Sequence, residues 1–154
     1  MRYKGIILHH SASPFDTTPQ QIDEWHKERG WKGIGYHFVC WFDIDCGMWR
    51  WTPARKLWEV GAHCRGYNYD HVGVCVTGDY ERWAPTQAML VVLIRGLVML
   101  CAERDIPITE LYGHREKADT LCPGKNLFDE IPKIKALVRS IMPVLNVKPD
   151  GARN

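Results

Sequence analysis

The chain has 154 residues, a formal net charge of +2 and six cysteines. Its length fits one domain that can bury a core without disulfide cross-links. The small charge, without any dense lysine or arginine run, argues against a nucleic-acid partner. The longest apolar run, at residues 89–101, is interrupted by Arg95 and is shorter than the roughly 20 residues that a membrane span needs. We therefore expect no insertion into membranes. We also expect a monomer.

The N-terminal residues carry no apolar stretch long enough for a secretory signal, so we expect the protein to be cytoplasmic after synthesis. A reducing compartment favours free thiols, and most of the cysteines are therefore expected to be unpaired. Cys40 and Cys46 flank a predicted hairpin turn. A disulfide between these two residues in an oxidising environment is an open alternative.

The predicted elements mix strands and helices without any internal repeat. They are, in chain order, a buried strand that ends at His9, a helix from a Thr18 cap to Gly30, a hairpin of strands at residues 35–41 and 48–51, a strand at 72–76, a long helix at 87–103, a strand at 108–112 and a helix at 127–142. This order predicts an α/β fold with a central mixed sheet flanked by helices. We assign residues 1–145 to one domain and residues 146–154 to a loose tail.

Three histidines outside the predicted site are interpreted structurally. His37 follows Tyr36 on a strand and faces the other way, so it is expected to be a hydrogen-bonded core residue. His26 is expected on the surface of the first helix and His71 in a loop, neither of them binding metal.

A histidine and a cysteine eight positions apart, His114 and Cys122, indicate a metal site. His114 follows an apolar run and Cys122 precedes a Pro-Gly loop. Imidazole and thiolate together favour zinc, and a catalytic zinc ion needs a third protein ligand. The best choice is His9, the last residue of the first strand. His10 is the alternative, although alternation along a strand sends its side chain to the opposite face.

Five segments match one known family in order along the chain. They are residues 7–12 (ILHHSA), 35–38 (GYHF), 60–68 (VGAHCRGYN), 72–78 (VGVCVTG), and 113–115 (GHR) together with 122–124 (CPG). With these motifs the chain resembles the zinc-dependent N-acetylmuramoyl-L-alanine amidases, which include short phage lysozymes and the peptidoglycan recognition proteins. The resemblance implies an α/β domain with the zinc site at the sheet edge, in a surface groove.

The resemblance also implies roles for individual residues. The family's zinc ligands fall on His9, His114 and Cys122, the same set that the spacing favours. Its catalytic tyrosine falls on Tyr36. The active-site position two residues before the cysteine is lysine in some members and threonine in others, and here it is Thr120.

A glycine-rich loop carries three further polar residues, His63, Arg65 and Asn68. The resemblance implies that His63 and Asn68 contact substrate, and we expect all three to rim the groove. The alternative is a loop held together by its own side chains.

The expected function is that of an endolysin, with peptidoglycan as its substrate. It would hydrolyse the amide bond between N-acetylmuramic acid and L-alanine by a zinc-activated water, after release from the cytoplasm to the cell wall. Two alternatives share these motifs: a non-catalytic peptidoglycan-binding recognition module and a cytoplasmic wall-recycling amidase. A third treats Cys122 as the nucleophile of a peptidase with His114 as its base, although Cys122 precedes Pro-Gly and not the start of a helix.

Overall fold

The structure, a computed structural model, describes residues 2–145 of the chain. The tail predicted at residues 146–154 lies outside them. The strands are β1 (Gly5–His10), β2 (Phe38–Asp43), β3 (Met48–Pro53), β4 (His71–Val76) and β5 (Leu111–Gly113). The α-helices are α1 (Pro19–Glu28), α2 (Gln87–Arg104) and α3 (Lys125–Ile141), and short 3-10 helices lie at Ile108–Glu110, His114–Glu116 and Met142–Leu145.

The strands form a mixed sheet in the order β3-β2-β4-β1-β5. Strand β1 is parallel to both β4 and β5, β2 is parallel to β4, and β2 and β3 form the antiparallel hairpin. All residues of β1 and β4 are buried, as expected for central parallel strands that are covered on both faces. The predicted α/β class and mixed sheet are confirmed.

Alternation along β1 divides the core between the two faces of the sheet. Ile6 and Leu8 pack into the larger cluster, which contains the buried side chains of α2 and α3. On the other face, Ile22 of α1 packs with Val39 in a smaller cluster. Because side chains alternate along a strand, His9 faces away from the larger cluster.

The predicted start of α1 is confirmed by its capping hydrogen bonds. Thr18 Oγ1 accepts a hydrogen bond from the backbone N–H of Gln21 at 3.2 Å, and the N–H of Thr18 donates to Gln21 Oε1 at 2.8 Å. This reciprocal pair satisfies two donors that a helix start would leave without partners. Strand β1 therefore leads through a short loop into a firmly defined α1.

Two predicted strands are shorter than expected. Strand β2 begins only at Phe38, because the carbonyls of Gly35 and Tyr36 bond to loop segments, with Ala62 N–H donating to Gly35 O at 3.1 Å and Arg55 N–H to Tyr36 O at 3.0 Å. Residues 108–110 form a 3-10 turn in which the N–H of Glu110 donates to Pro107 O, so β5 begins only at Leu111.

Pro132 lies beyond the first turn of α3, and the helix continues through it.

His71 is not a loop residue, contrary to the expectation. It is the first residue of β4, pairs in register with Gly5 and is buried. None of the six cysteines, all of which lie within the described residues, forms a disulfide. Among residues 2–145, none of the helices combines the length and the apolar character that a membrane-spanning segment needs.

Candidate metal centre

The candidate metal ligands meet at the carboxyl ends of adjacent parallel strands. Leu8 of β1 is paired with Gly113 of β5, so the next residues along the two strands, His9 and His114, lie side by side. Their ring centroids are 4.4 Å apart. Ligand sites in α/β sheets are commonly found at this edge.

Cys122 completes the group predicted from the sequence. One ligand atom from each of His9, His114 and Cys122 lies within 4.8 Å of the other two. His9 Nδ1 is the imidazole nitrogen that faces the thiol, at 3.7 Å from Cys122 Sγ. The structure thus brings His9 together with two residues from a distant part of the chain.

This donor set fits zinc. A tetrahedral ion with bonds of about 2.0 Å to nitrogen and 2.3 Å to sulfur separates two such ligands by roughly 3.5 Å, close to the observed distance of 3.7 Å between His9 Nδ1 and Cys122 Sγ. Three protein donors leave the fourth tetrahedral position open, as in catalytic zinc sites. The side chains are therefore arranged to hold a zinc ion and one further ligand.

His10, the alternative third ligand, does not join this group. Its Nδ1 accepts a hydrogen bond from the backbone N–H of Tyr80 at 3.2 Å, on the opposite face of β1. Its backbone N–H, in contrast, points to Cys122 Sγ at 3.4 Å. The main chain of β1 therefore supports the sulfur, while strand alternation excludes the His10 imidazole.

The loop that carries Cys122 is held by contacts at both of its ends. Arg115 N–H donates to Cys122 O at 2.8 Å, and the Arg115 guanidinium binds Glu81 Oε1 at 2.7 Å and also the carbonyl of Leu121. Gly124 has φ +86°, and a Cβ there would lie 2.4 Å from the carbonyl carbon of Tyr80. Glycine is needed at this position because the loop approaches another backbone so closely.

Burial shifts the pKa of each candidate ligand towards its neutral form. It lowers the pKa of His9 well below the usual value, with further lowering from nearby His63 and His114. It also lowers the pKa of His114, and it raises the pKa of the Cys122 thiol to about 12. The histidines are therefore ready to donate lone pairs, whereas a metal must displace the thiol proton of Cys122.

Tyr36 lies beside the ligand group. Its ring centroid is 5.1 Å from that of His9 and 5.4 Å from that of His26. Burial raises its pKa well above the usual value, and the neighbouring Cys75 and Cys122 raise it further. Tyr36 is therefore protonated at neutral pH and can act as a hydrogen-bond donor. A recess of about 60 Å³ borders its side chain, with Trp25 of α1 and Arg29, the residue after that helix, also in the wall.

His26 is buried, so its predicted place on the helix surface is wrong. Its Nδ1 accepts a hydrogen bond from the backbone N–H of Gly35 at 3.0 Å, next to Tyr36. His37 is a core histidine as predicted, with Nδ1 accepting from Gly73 N–H at 3.0 Å. The spacing of Ile22 and His26, four residues apart on one helix face, was the signal that could have placed His26 inside.

Thr120 lies two residues before Cys122 and touches its main chain. Thr120 Oγ1 accepts a hydrogen bond from the Cys122 N–H at 3.2 Å, which leaves the threonine hydroxyl proton available for donation. The ammonium group of Lys117 contacts two tyrosine rings. Its Nζ lies 3.6 Å from the ring centroid of Tyr112 and 5.1 Å from that of Tyr67.

The three polar residues of the glycine-rich loop differ in their hydrogen bonds and in their exposure. Asn68 Oδ1 accepts hydrogen bonds from the backbone N–H groups of His63 and Cys64, at 2.8 and 2.9 Å. His63 is only 9% exposed, whereas Arg65 is exposed. The substrate contacts expected for His63, Arg65 and Asn68 stay predictions.

Comparisons with known proteins agree with this geometry. The sequence family described as N-acetylmuramoyl-L-alanine amidase matches residues 1–125. The chain is 33% identical to the endolysin of Escherichia phage T7 over 136 residues, covering 80% of this chain and 82% of that protein.

Solved structures show the same fold. The N-acetylmuramoyl-L-alanine amidase LysC from Clostridium intestinale has a TM-score of 0.75 and 33% identity, covering 96% of this chain and 88% of that one. A mutant of Drosophila PGRP-LB in complex with tracheal cytotoxin has a TM-score of 0.73 and 31% identity, covering 84% and 80%. The family match spans most of the chain and contains His9, His114 and Cys122. The chain belongs to the N-acetylmuramoyl-L-alanine amidase family.

Proposed function

We propose that the protein is a zinc-dependent N-acetylmuramoyl-L-alanine amidase that cleaves the amide bond between N-acetylmuramic acid and L-alanine of peptidoglycan. The observation that carries this proposal is the convergence of His9, His114 and Cys122 within 4.8 Å, beside Tyr36. A member that only bound peptidoglycan would not need this complete set of donors.

The bond to be broken explains why these residue types are needed. An amide has a resonance-stabilised carbonyl and a poor leaving group, so its hydrolysis requires an activated water and stabilisation of the developing oxyanion. A bound zinc ion supplies both, by lowering the pKa of water towards about 7 and by polarising the carbonyl oxygen. His9, His114 and Cys122 would hold that ion.

Two further side chains would act on the substrate directly. Tyr36 is protonated, and its hydroxyl would donate a hydrogen bond to the oxygen on which negative charge develops. Thr120 keeps a free hydroxyl proton next to Cys122 and would donate a second hydrogen bond. Both groups would be most useful in the transition state, when the charge on that oxygen is largest.

The biological setting is also part of the proposal. Endolysins of phages T7, KP32 and T3 are 32–33% identical to this chain over most of its length. We assign the protein the role of an endolysin that is made in the cytoplasm and reaches the cell wall when the membrane is breached. A cytoplasmic amidase that recycles wall fragments would use the same residues, and activity on intact cell walls would separate the two roles.

Product analysis tests the proposed bond specificity. Purified peptidoglycan is digested with the zinc-loaded protein, and the products are identified by mass spectrometry. We expect new free amino termini on L-alanine and glycan strands of unchanged length. New reducing sugar ends or cleavage within the peptide would contradict the proposal, and binding without cleavage would favour the recognition-module alternative.

A further inference from the structure

His63 lies between the metal ligand His9 and the backbone of β4. Its Nδ1 is 3.1 Å from His9 Nε2, and its Nε2 is 3.2 Å from the carbonyl oxygen of His71. Both ring nitrogens of His63 are thus within hydrogen-bond distance of protein atoms. The contact with His9 is on the side of that ring opposite to the nitrogen that faces Cys122.

The His63 imidazole occupies a slot between two glycines. A Cβ on Gly73 would lie 2.5 Å from His63 Cδ2, and one on Gly61 would lie 2.7 Å from the same atom. Asn68 fixes the backbone of His63 by accepting its N–H. A flipped ring would put carbon atoms where both hydrogen bonds are made, so the polar contacts select the orientation of the ring within this slot.

The hydrogen bonds determine which nitrogen of each ring carries the proton. A carbonyl oxygen can only accept, so the proton of neutral His63 is on Nε2, facing His71 O. His63 Nδ1 is then an acceptor, and His9 Nε2 must donate to it. In neutral His9 this leaves the lone pair on Nδ1, the atom that lies 3.7 Å from Cys122 Sγ.

We propose that His63 is a positioning residue that fixes the tautomer and the ring orientation of His9, so that His9 Nδ1 is presented to the metal. This inference rests on the metal centre of the proposed function and adds a residue that supports it without binding the ion. Such outer partners of ligating histidines typically change metal affinity by about 10–100-fold. The carbonyl of His71 is the fixed end of the chain of hydrogen bonds.

This role differs measurably from that of a substrate contact. Loss of a substrate contact raises KM and leaves zinc affinity unchanged. Loss of a positioning residue weakens zinc binding in the protein without any substrate present. The zinc dissociation constant, measured by competition with a chromophoric chelator, therefore separates the two roles.

Three variants of the full chain test the hydrogen bond from His9. His63→Ala removes both polar contacts and is expected to weaken zinc binding by about 10–100-fold. His63→Asn places an amide oxygen near the former Nδ1, where it can accept from His9, and should restore most of the affinity. His63→Gln places its amide near the former Nε2, where it can donate to His71 O but cannot accept from His9, and should resemble alanine.

His26→Ala is the matched control, because it removes another buried imidazole whose Nδ1 accepts a backbone N–H. Zinc affinity should be unchanged in this variant, even if the protein is less stable. Thermal unfolding of each variant in the metal-free form shows whether it has folded.

A measurement on the zinc-loaded wild-type protein does not depend on any variant. Nitrogen-15 NMR should show a coupling across the hydrogen bond between His9 Nε2 and His63 Nδ1, with the proton on His9. A proton on His63 Nδ1, or a His63→Ala protein that binds zinc as tightly as wild type, would overturn this inference alone. Failure of wild type to bind zinc would overturn the metal centre and the inference together.

Discussion

Replacement of Cys122 by serine is expected to abolish zinc retention and to reduce peptidoglycan hydrolysis by at least about 100-fold. Loss of a residue that only supports a metal ligand typically reduces metal affinity or activity by about 10–100-fold, so loss of the ligand itself should have a larger effect. Cys122 Sγ lies 3.7 Å from His9 Nδ1 and receives the backbone N–H of His10. A serine hydroxyl is smaller and remains neutral near pH 7, so it cannot replace a thiolate ligand. Bound zinc, measured by elemental analysis, and hydrolysis rate should fall together.

Cys46→Ser is the matched control for this substitution. Cys46 is an exposed free thiol in the β2–β3 turn, far along the chain from the metal ligands. Its replacement should leave both zinc content and hydrolysis at the wild-type level. A Cys122→Ser protein that kept stoichiometric zinc and full activity would show that Cys122 is not a ligand.

Tyr36→Phe is expected to reduce kcat by about 10²–10³-fold, the usual cost of removing one donor to a developing oxyanion. The substitution removes only the hydroxyl group, so the packing of the ring against His9 and His26 should be kept. Because Tyr36 is not one of the metal ligands, zinc affinity should remain unchanged. Steady-state kinetics on a soluble muramyl peptide, together with a zinc-binding measurement, test this prediction.

Tyr69→Phe provides the control for loss of a tyrosine hydroxyl. Tyr69 is 73% exposed, and its substitution should leave both kcat and zinc affinity unchanged. Full activity of Tyr36→Phe with zinc bound would contradict a catalytic role for Tyr36. Reduced zinc affinity in Tyr36→Phe would instead assign it a structural role at the metal centre.

The sequence was sufficient to predict the main elements that build the site. A buried first strand could be predicted from the apolar run before His9, although β1 extends one residue further, to His10. Thr18 and Gln21 mark the start of α1 by their capping pattern. These signals are local, because each depends on residues within a few positions of one another. The length of β5 was overestimated, because the 3-10 turn before it depends on backbone geometry at Pro107.

Alternation along one strand was the most useful argument for the site. His9 and His10 are adjacent and carry the same side chain, but alternation along a strand sends the two side chains to opposite faces of the sheet. The structure has them on opposite faces, with only His9 in the group of metal ligands. The approach of His114 to His9 depends on parallel pairing of β1 with β5, and Cys122 is brought in by the backbone hydrogen bond from Arg115 to its carbonyl. Spacing suggested that these residues share a metal, but only the register shows that they meet.

The supporting contacts could not be predicted from the sequence. His63 reaches His9 across 54 positions of the chain, and the N–H of His10 reaches Cys122 across 112. Such contacts are fixed by tertiary packing and leave no periodic signal. The slot for His63 depends on Gly61 and Gly73, which in the sequence look like ordinary turn and strand glycines.

A zinc titration of hydrolysis shows whether the reaction depends on a metal bound by His9, His114 and Cys122. The protein is stripped of metal with a chelator, the chelator is removed, and hydrolysis of purified peptidoglycan is followed as zinc is added. We predict no hydrolysis without metal and a rise that ends when each chain has bound one zinc ion. Undiminished hydrolysis by the metal-free protein would rule out a zinc-dependent reaction and would favour Cys122 as a thiol nucleophile.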